Sequence, residues 1–247
     1  MSHPAIHVSQ LTKVFDSTRA VDDISFSIPR GQIVGLLGGN GAGKTTTISM
    51  LLGILTPTSG QINVLGFDML TNRHEALARM NFSSPYVDLP QRLSVWQNLT
   101  VFSHFYNVKN HRQRIRELAA DLEIESFLHA PYSNLSAGMK TRVLLAKSLI
   151  NTPDVLLLDE PTASLDPDTA DWIRLYIRKY QQQSGATILM ASHNMVEVER
   201  MCDDVIMMRS GRIVAHDTPQ ALISQYGHED MEQVFLSIAR EGRVSHA

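Results

Sequence analysis

Apolar and polar positions alternate at the start of the chain. They take helical spacing in the middle and settle into an α/β rhythm towards the end. Residues 5–8 and 21–28 alternate as half-buried strands do, with turns at 16–18 and 29–31. Residues 33–37 are almost uninterruptedly apolar, as in a central strand covered on both faces. A helix over 45–52 ends near Gly53, and a turn at 57–60 leads into a strand at 61–65. From about residue 71 to 151 the pattern reads as helices. Ile115, Leu118 and Leu122 recur at helical spacing before a stop at Pro131, and Met139, Val143, Ala146 and Ile150 form one stripe along a helix over 137–150.

Beyond Pro153 the pattern predicts a strand at 155–158, a helix at 171–182 ending at Gly185, and a strand at 187–192. A helix at 195–202, a hairpin at 205–208 and 212–216, and a helix at 219–226 follow, then a short helix at 231–239 and disorder. The expectation is a single α/β domain over 1–247. Segments 5–84 and 152–226 form its core, about 85–151 a helical insertion, and 227–247 a tail.

Composition narrows this little. A net charge of −3 gives no electrostatic case for nucleic acid. No apolar run approaches the ~18 residues of a membrane span, and the N-terminus shows no signal-peptide core, so a cytoplasmic protein is expected. Cys202 is the only cysteine and no histidine lies beside it, which suits packing rather than catalysis.

Residues 38–45 change the picture. Gly38, Gly39, Asn40, Gly41, Ala42, Gly43, Lys44 and Thr45 fit G-x-x-x-x-G-K-[ST], between an expected strand and an expected helix. Glycines let consecutive N–H groups turn inward, and the helix N-terminus, Lys44 and the Thr45 hydroxyl suit triphosphate and Mg²⁺. At ordinary glycine usage a chance match has odds of about one in a hundred. The stretch implies a nucleoside triphosphate site, which Thr46 extends. A second constellation follows the apolar run 155–158: Asp159 is suited to hold Mg²⁺, and Glu160 to polarise a water and take its proton.

Leu135, Ser136, Ala137 and Gly138 open the expected helix over 137–150, Ser136 as a good N-cap. In this order of motifs the chain resembles the nucleotide-binding subunits of ABC transporters, from about residue 6 to 226, with 135–138 similar to their signature motif. The resemblance implies further roles. Phe15 stands where an aromatic ring stacks on adenine. Ser164, Leu165, Asp166 and Pro167 resemble the loop that crosses between subunits, and His193 is placed as the γ-phosphate contact. It also implies that a second copy, or a paralogue, supplies Ser136 and Gly138 to close each ATP site, and that a separate transmembrane permease is the partner. That partner would hold the chain on the cytoplasmic membrane face, docking around 85–99 on residues such as Val87, Leu89, Leu93, Val95, Trp96 and Leu99. Residues 230–236 resemble the endings of small exporter-type ATPases.

Two departures stand out. Gly39 replaces a usual proline in a loop without a side-chain role. Pro85 occupies the position of a glutamine that would ligate Mg²⁺ and sense the partner; Ser83, Ser84 or water remain as replacements, whereas Gln91 lies too far along. The alternative function is a soluble, nucleotide-gated ABC ATPase acting on a non-transport partner with little hydrolysis.

Overall fold

The computed structural model describes residues 3–85, 87–163 and 165–241. Disorder was expected beyond residue 239, but the last helix continues to Glu241; residues 242–247 lie outside the described residues.

Strands β1 (Ile6–Phe15) and β2 (Thr18–Ile28) pair antiparallel. With β4 (Ser59–Val64) and β5 (Phe67–Asp68) they make a four-stranded sheet in the order β2-β1-β4-β5. A larger sheet contains β3 (Ile33–Leu37), β6 (Met80–Ser83), β7 (Val155–Asp159), β8 (Thr187–Ser192), β9 (Asp204–Arg209) and β10 (Arg212–Asp217), in the order β10-β9-β3-β8-β7-β6. All of it is parallel except the β9–β10 hairpin. Every residue of β3, β7 and β8 is buried, because both faces are covered. The two-residue period divides the core. Leu156, Leu158, Ile188 and Met190 join the cluster beneath the helical insertion, whereas Val155, Leu157, Leu189 and Ala191 join the one beneath the antiparallel sheet.

Helix α1 (Lys44–Leu51) follows β3, and α2 (Arg73–Leu77) precedes β6. The insertion consists of α3 (Val95–Phe105), α4 (His111–Asp121) and α5 (Ala137–Ser148). Ser94 opens α3 with a reciprocal capping box to Gln97. The C-terminal part adds α6 (Pro167–Ser184), α7 (Met195–Met201), α8 (Pro219–Tyr226) and α9 (Met231–Glu241).

Three expectations change. The purely helical reading of 71–151 misses β6, an edge strand whose Asn81 and Ser83 break the apolar signal. The helix expected from 171 starts at Pro167, where Asp166 caps the Thr169 N–H and proline suits the first turn. Of the residues expected on a docking surface, Leu89, Val95 and Leu99 are core, Leu93 and Trp96 are half-buried and Val87 is exposed; farther along α3, Val101 and Phe105 are exposed as well.

The insertion leaves the core after β6 and returns before β7, and a polar knot sits at that joint. Lys147 Nζ of α5 donates to Asn81 Oδ1 at 3.2 Å and to the Phe82 carbonyl at 2.9 Å. Asn81 Nδ2 donates to Asn151 Oδ1 at 2.9 Å, and Asn151 Nδ2 to the carbonyls of Ala78 and Met80. The paired groups satisfy polar atoms that the edge strand would otherwise bury unmet.

Candidate nucleotide site

Parallel strands deliver their carboxyl ends to one edge of the sheet, and that edge is where ligands collect in open α/β folds. Here β3 ends at residues 38–43, β7 at Asp159 and Glu160, β8 at His193, and β6 at Ser84. Four sequence-distant segments therefore meet because of topology alone.

The loop after β3 borders a groove of about 570 Å³, lined by Thr18, Arg19, Ala20, Ser210 and the run from Gly39 to Thr46. Two glycines are sterically required. A Cβ on Gly38 would approach the Met208 carbonyl to 2.5 Å, and one on Gly43 (φ +106°) the Ala20 carbonyl to 2.6 Å. Behind the loop, Gly211 N–H donates to the Ala42 carbonyl at 3.0 Å, and Asp22 N–H to the Gly211 carbonyl at 2.8 Å. Asp22 also binds Arg19 and Arg212, both at 2.7 Å. Those arginines, Arg19 foremost, hold its carboxyl below the ordinary range.

Lys44 Nζ donates to the Gly38 carbonyl at 2.6 Å, folded back over the cradle. Burial lowers its proton affinity, against which Glu160 and Asp159 pull upward. Thr45 and Thr46 line the same groove. Phe15 pairs with Thr18 across the β1–β2 ladder, is 45% exposed, and carries Lys13 Nζ 5.0 Å above its ring. Its ladder partner Thr18 lines the groove.

Asp159 is 8% exposed. Burial first, and then the neighbouring Glu160 charge, push its carboxyl up; hydrogen bonding from Ser84 and the Lys44 charge act against this. Ser84 Oγ donates to Asp159 Oδ2 at 3.3 Å, and Ser84 is itself buried. Of the oxygens considered for the missing glutamine, Ser84 is thus the one against the acid. Pro85 is exposed, and Gln91 hydrogen-bonds Asp88. The donor set fits a hard divalent cation: a buried carboxylate under charge repulsion, a neighbouring hydroxyl, and the Thr45 hydroxyl on the groove.

Glu160 sits at φ +51°, uncommon for a side chain of this size, and its N–H donates to the Ala191 carbonyl at 2.8 Å. Its Oε1 lies 2.7 Å from His193 Nδ1. An ionised carboxylate only accepts, so Nδ1 carries the proton and Nε2 is the ring nitrogen left outward.

Ser136 and Gly138 do not line this groove. Ser136 caps α5 through the Met139 N–H, and a Cβ on Gly138 would touch Thr169 Cγ2 at 3.4 Å, so the start of α5 lies beside the start of α6 and its cap Asp166. Ser164 lies outside the described residues. One residue the sequence reading passed over is Glu197, 1% exposed and hydrogen-bonded to Thr162 and Ser192. Only its apolar surroundings in α7 hinted at burial.

The sequence profile described as ABC transporter matches residues 21–163. The chain belongs to the ABC transporter ATP-binding family. It is 38% identical over 236 residues to the Nod factor export ATP-binding protein I of Ralstonia nicotianae, covering 95% of this chain and 73% of that protein. It is 35% identical over 249 residues to the probable multidrug ABC transporter ATP-binding protein YbhF of Escherichia coli, covering 98% of this chain but only 43% of that protein. A solved structure described as the ATP-binding subunit of an ABC transporter superposes with a TM-score of 0.87 at 24% identity, over 95% of this chain and 99% of that one, which establishes the shared fold. This is an ABC-type ATPase subunit with a P-loop α/β core, an antiparallel N-terminal sheet and an inserted helical region. Among the described residues, no helix is long and apolar enough to cross a membrane.

Proposed function

We propose that two copies of this chain, or one copy and a paralogue, close on two ATP molecules and drive a separate transmembrane permease in the export direction. The observation that carries the reading is the division of the site. The cradle, both acids and His193 gather at one sheet edge, while Ser136 and Gly138 stand outside the groove at the start of α5. A groove of this kind leaves the outer side of a γ-phosphate open, and a second helix N-terminus from another subunit can close it and exclude water.

In this reading the backbone N–H groups of 39–45 and Lys44 hold the β- and γ-phosphates, and Phe15 stacks on the base. Thr45 and Asp159, with Ser84 against Asp159, hold Mg²⁺. Bound there, the metal would neutralise developing charge on the phosphates. Glu160 takes a proton from the attacking water, and His193 orients Glu160 through Nδ1 while offering Nε2 to the γ-phosphate. Asp166 and the loop around it meet the second subunit. Exposed Val87, Val101 and Phe105 are the surface for the permease, which would bring the chain to the cytoplasmic membrane face. The relative named for Nod factor export supports the direction.

Lys44→Ala tests the cradle: equilibrium ATP binding should be lost, and retained affinity would refute the assignment. Co-purification from membranes with a polytopic partner, and ATP-dependent dimers on size exclusion, test the assembly. A chain that stays monomeric with ATP and turns over slowly would favour the competing reading of a nucleotide-gated module, which the exposed, side-chain-inert Pro85 keeps open.

A further inference from the structure

Glu197 is a carboxylate nearly sealed from solvent, 1% exposed, in the first turn of α7. A buried charge is destabilising unless paired and hydrogen-bonded, and helix formation requires no acid here, since Asn194 already caps the Glu197 N–H. Its partners give it a different role. Oε1 accepts from Thr162 Oγ1 at 2.8 Å, and Oε2 accepts from Ser192 Oγ at 2.8 Å. Arg174 Nε of α6 stands 3.7 Å from Oε1, an ion pair beyond hydrogen-bond reach.

Thr162 lies two residues past Glu160, and Ser192 immediately precedes His193. One carboxylate therefore grips both segments that carry the Glu160–His193 pair. The Ser192 hydroxyl also accepts from the Asn194 N–H at 3.1 Å, drawing residues 192–197 into a closed turn. The His193 side chain is 71% exposed, so neighbouring side chains do little to hold it by packing. Its place depends on the backbone that Ser192 and Asn194 fix. Glu160, at positive φ and far less exposed, sits at the head of the loop that Thr162 ties down.

We propose that Glu197 is a positioning residue of the hydrolytic centre: through Thr162 and Ser192 it sets Glu160 and His193 relative to each other, without touching the nucleotide. This rests on the reading of Glu160 as base and His193 as γ-phosphate contact. Misplacement of reacting groups by about 1 Å costs on the order of 100-fold in rate, whereas binding groups elsewhere are untouched.

The test uses the full-length chain at concentrations that favour the dimer, with Mg·ATP as substrate. In Glu197→Gln, kcat should fall about 10- to 100-fold while KM and equilibrium ATP affinity stay within about twofold of wild type. Combined with His193→Ala, it should slow turnover by clearly less than the product of the two single effects, since both act on one pair. Parallel loss of ATP affinity, or multiplying effects, would show a merely structural residue and overturn the proposal. If Glu197→Gln does not fold, Ser192→Ala and Thr162→Val each release one grip. A several-fold drop in kcat at unchanged KM supports the proposal, and wild-type kcat in both ends it. Glu160→Gln and His193→Ala judge the underlying pair separately. Should both turn over normally, that reading fails and this one with it. Should both be inactive while the Glu197, Ser192 and Thr162 variants match wild type, the pair stands and only the positioning role is lost.

Discussion

His193 Nδ1 and Glu160 Oε1 stand 2.7 Å apart although 33 residues separate them in the chain. They meet because β7 and β8 are parallel neighbours whose carboxyl ends coincide, Asp159 pairing with Ala191. In the proposed mechanism the contact gives Glu160 an orienting partner before any nucleotide arrives, which would leave little reorganisation for the catalytic step.

Replacing Glu160 by Gln should keep ATP binding and nucleotide-driven dimerisation and reduce turnover by about 10²–10⁴-fold, the range for loss of a general base. Phosphate release and size-exclusion profiles with ATP check both halves. Wild-type turnover removes Glu160 from the mechanism.

Asp159→Asn should separate stability from activity. The Asp159 carboxyl is raised, so its folded form prefers the proton: the favourable contribution is complete below the ordinary carboxylate value, 3.8, and is lost as pH rises through the higher folded value. At neutral pH the ionised acid is therefore a strain on the nucleotide-free fold. Its neutral isostere should melt higher, a gain of ~1 kcal/mol corresponding to about 2–4 °C in a domain of this size. Mg²⁺-dependent turnover should be lost. A lower midpoint in thermal unfolding without nucleotide would contradict the sign.

Ser84→Ala removes the hydroxyl that donates to Asp159. Losing about 1 kcal/mol of hydrogen bonding to the ionised form corresponds to roughly fivefold weaker Mg²⁺ half-saturation. A Mg²⁺ titration of ATPase rate reads this directly, and an unchanged half-saturation point would leave the position of the missing glutamine to water.

Lys147 gives a pH signature. Burial brings its ammonium from 10.5 down to about 8. Between those values the unfolded chain holds the proton more than the fold does, so stability should rise with pH across that window, by up to ~1.4 kcal/mol per unit. The Cys202 thiol, pushed up by burial, acts oppositely above its ordinary value of 9.0. The comparison is therefore made against Lys147→Met, in urea unfolding at pH 7.5 and 9.5. A difference between the two proteins that does not change with pH would count against the shift.

Much of this was legible in the sequence. Strands 33–37 and 187–192 and helix 219–226 emerge at their observed bounds because apolar runs between strong turn residues leave one solution. The edge strand β6 did not, since four residues with Asn81 among them carry no period and acquire strand character only by pairing with β7. The P-loop pattern stood out by its glycines and lysine alone, the two acids took their reading from its presence upstream, and His193 was singled out only by the family resemblance; the fold brings them to one sheet edge. Glu197 was not, because its meaning lies in two hydroxyls, Thr162 and Ser192, that the fold brings to it. Beside Pro85 the sequence offered two serines or water, and only the fold shows that Ser84, just past β6, reaches Asp159.

The knot of Asn81, Lys147 and Asn151 ties together three places in the chain: the strand that ends beside Ser84, the helix that Ser136 opens and the segment that returns to β7. A shift of one without the others would leave a buried amide or ammonium without its partner, so the three are bound to move as one.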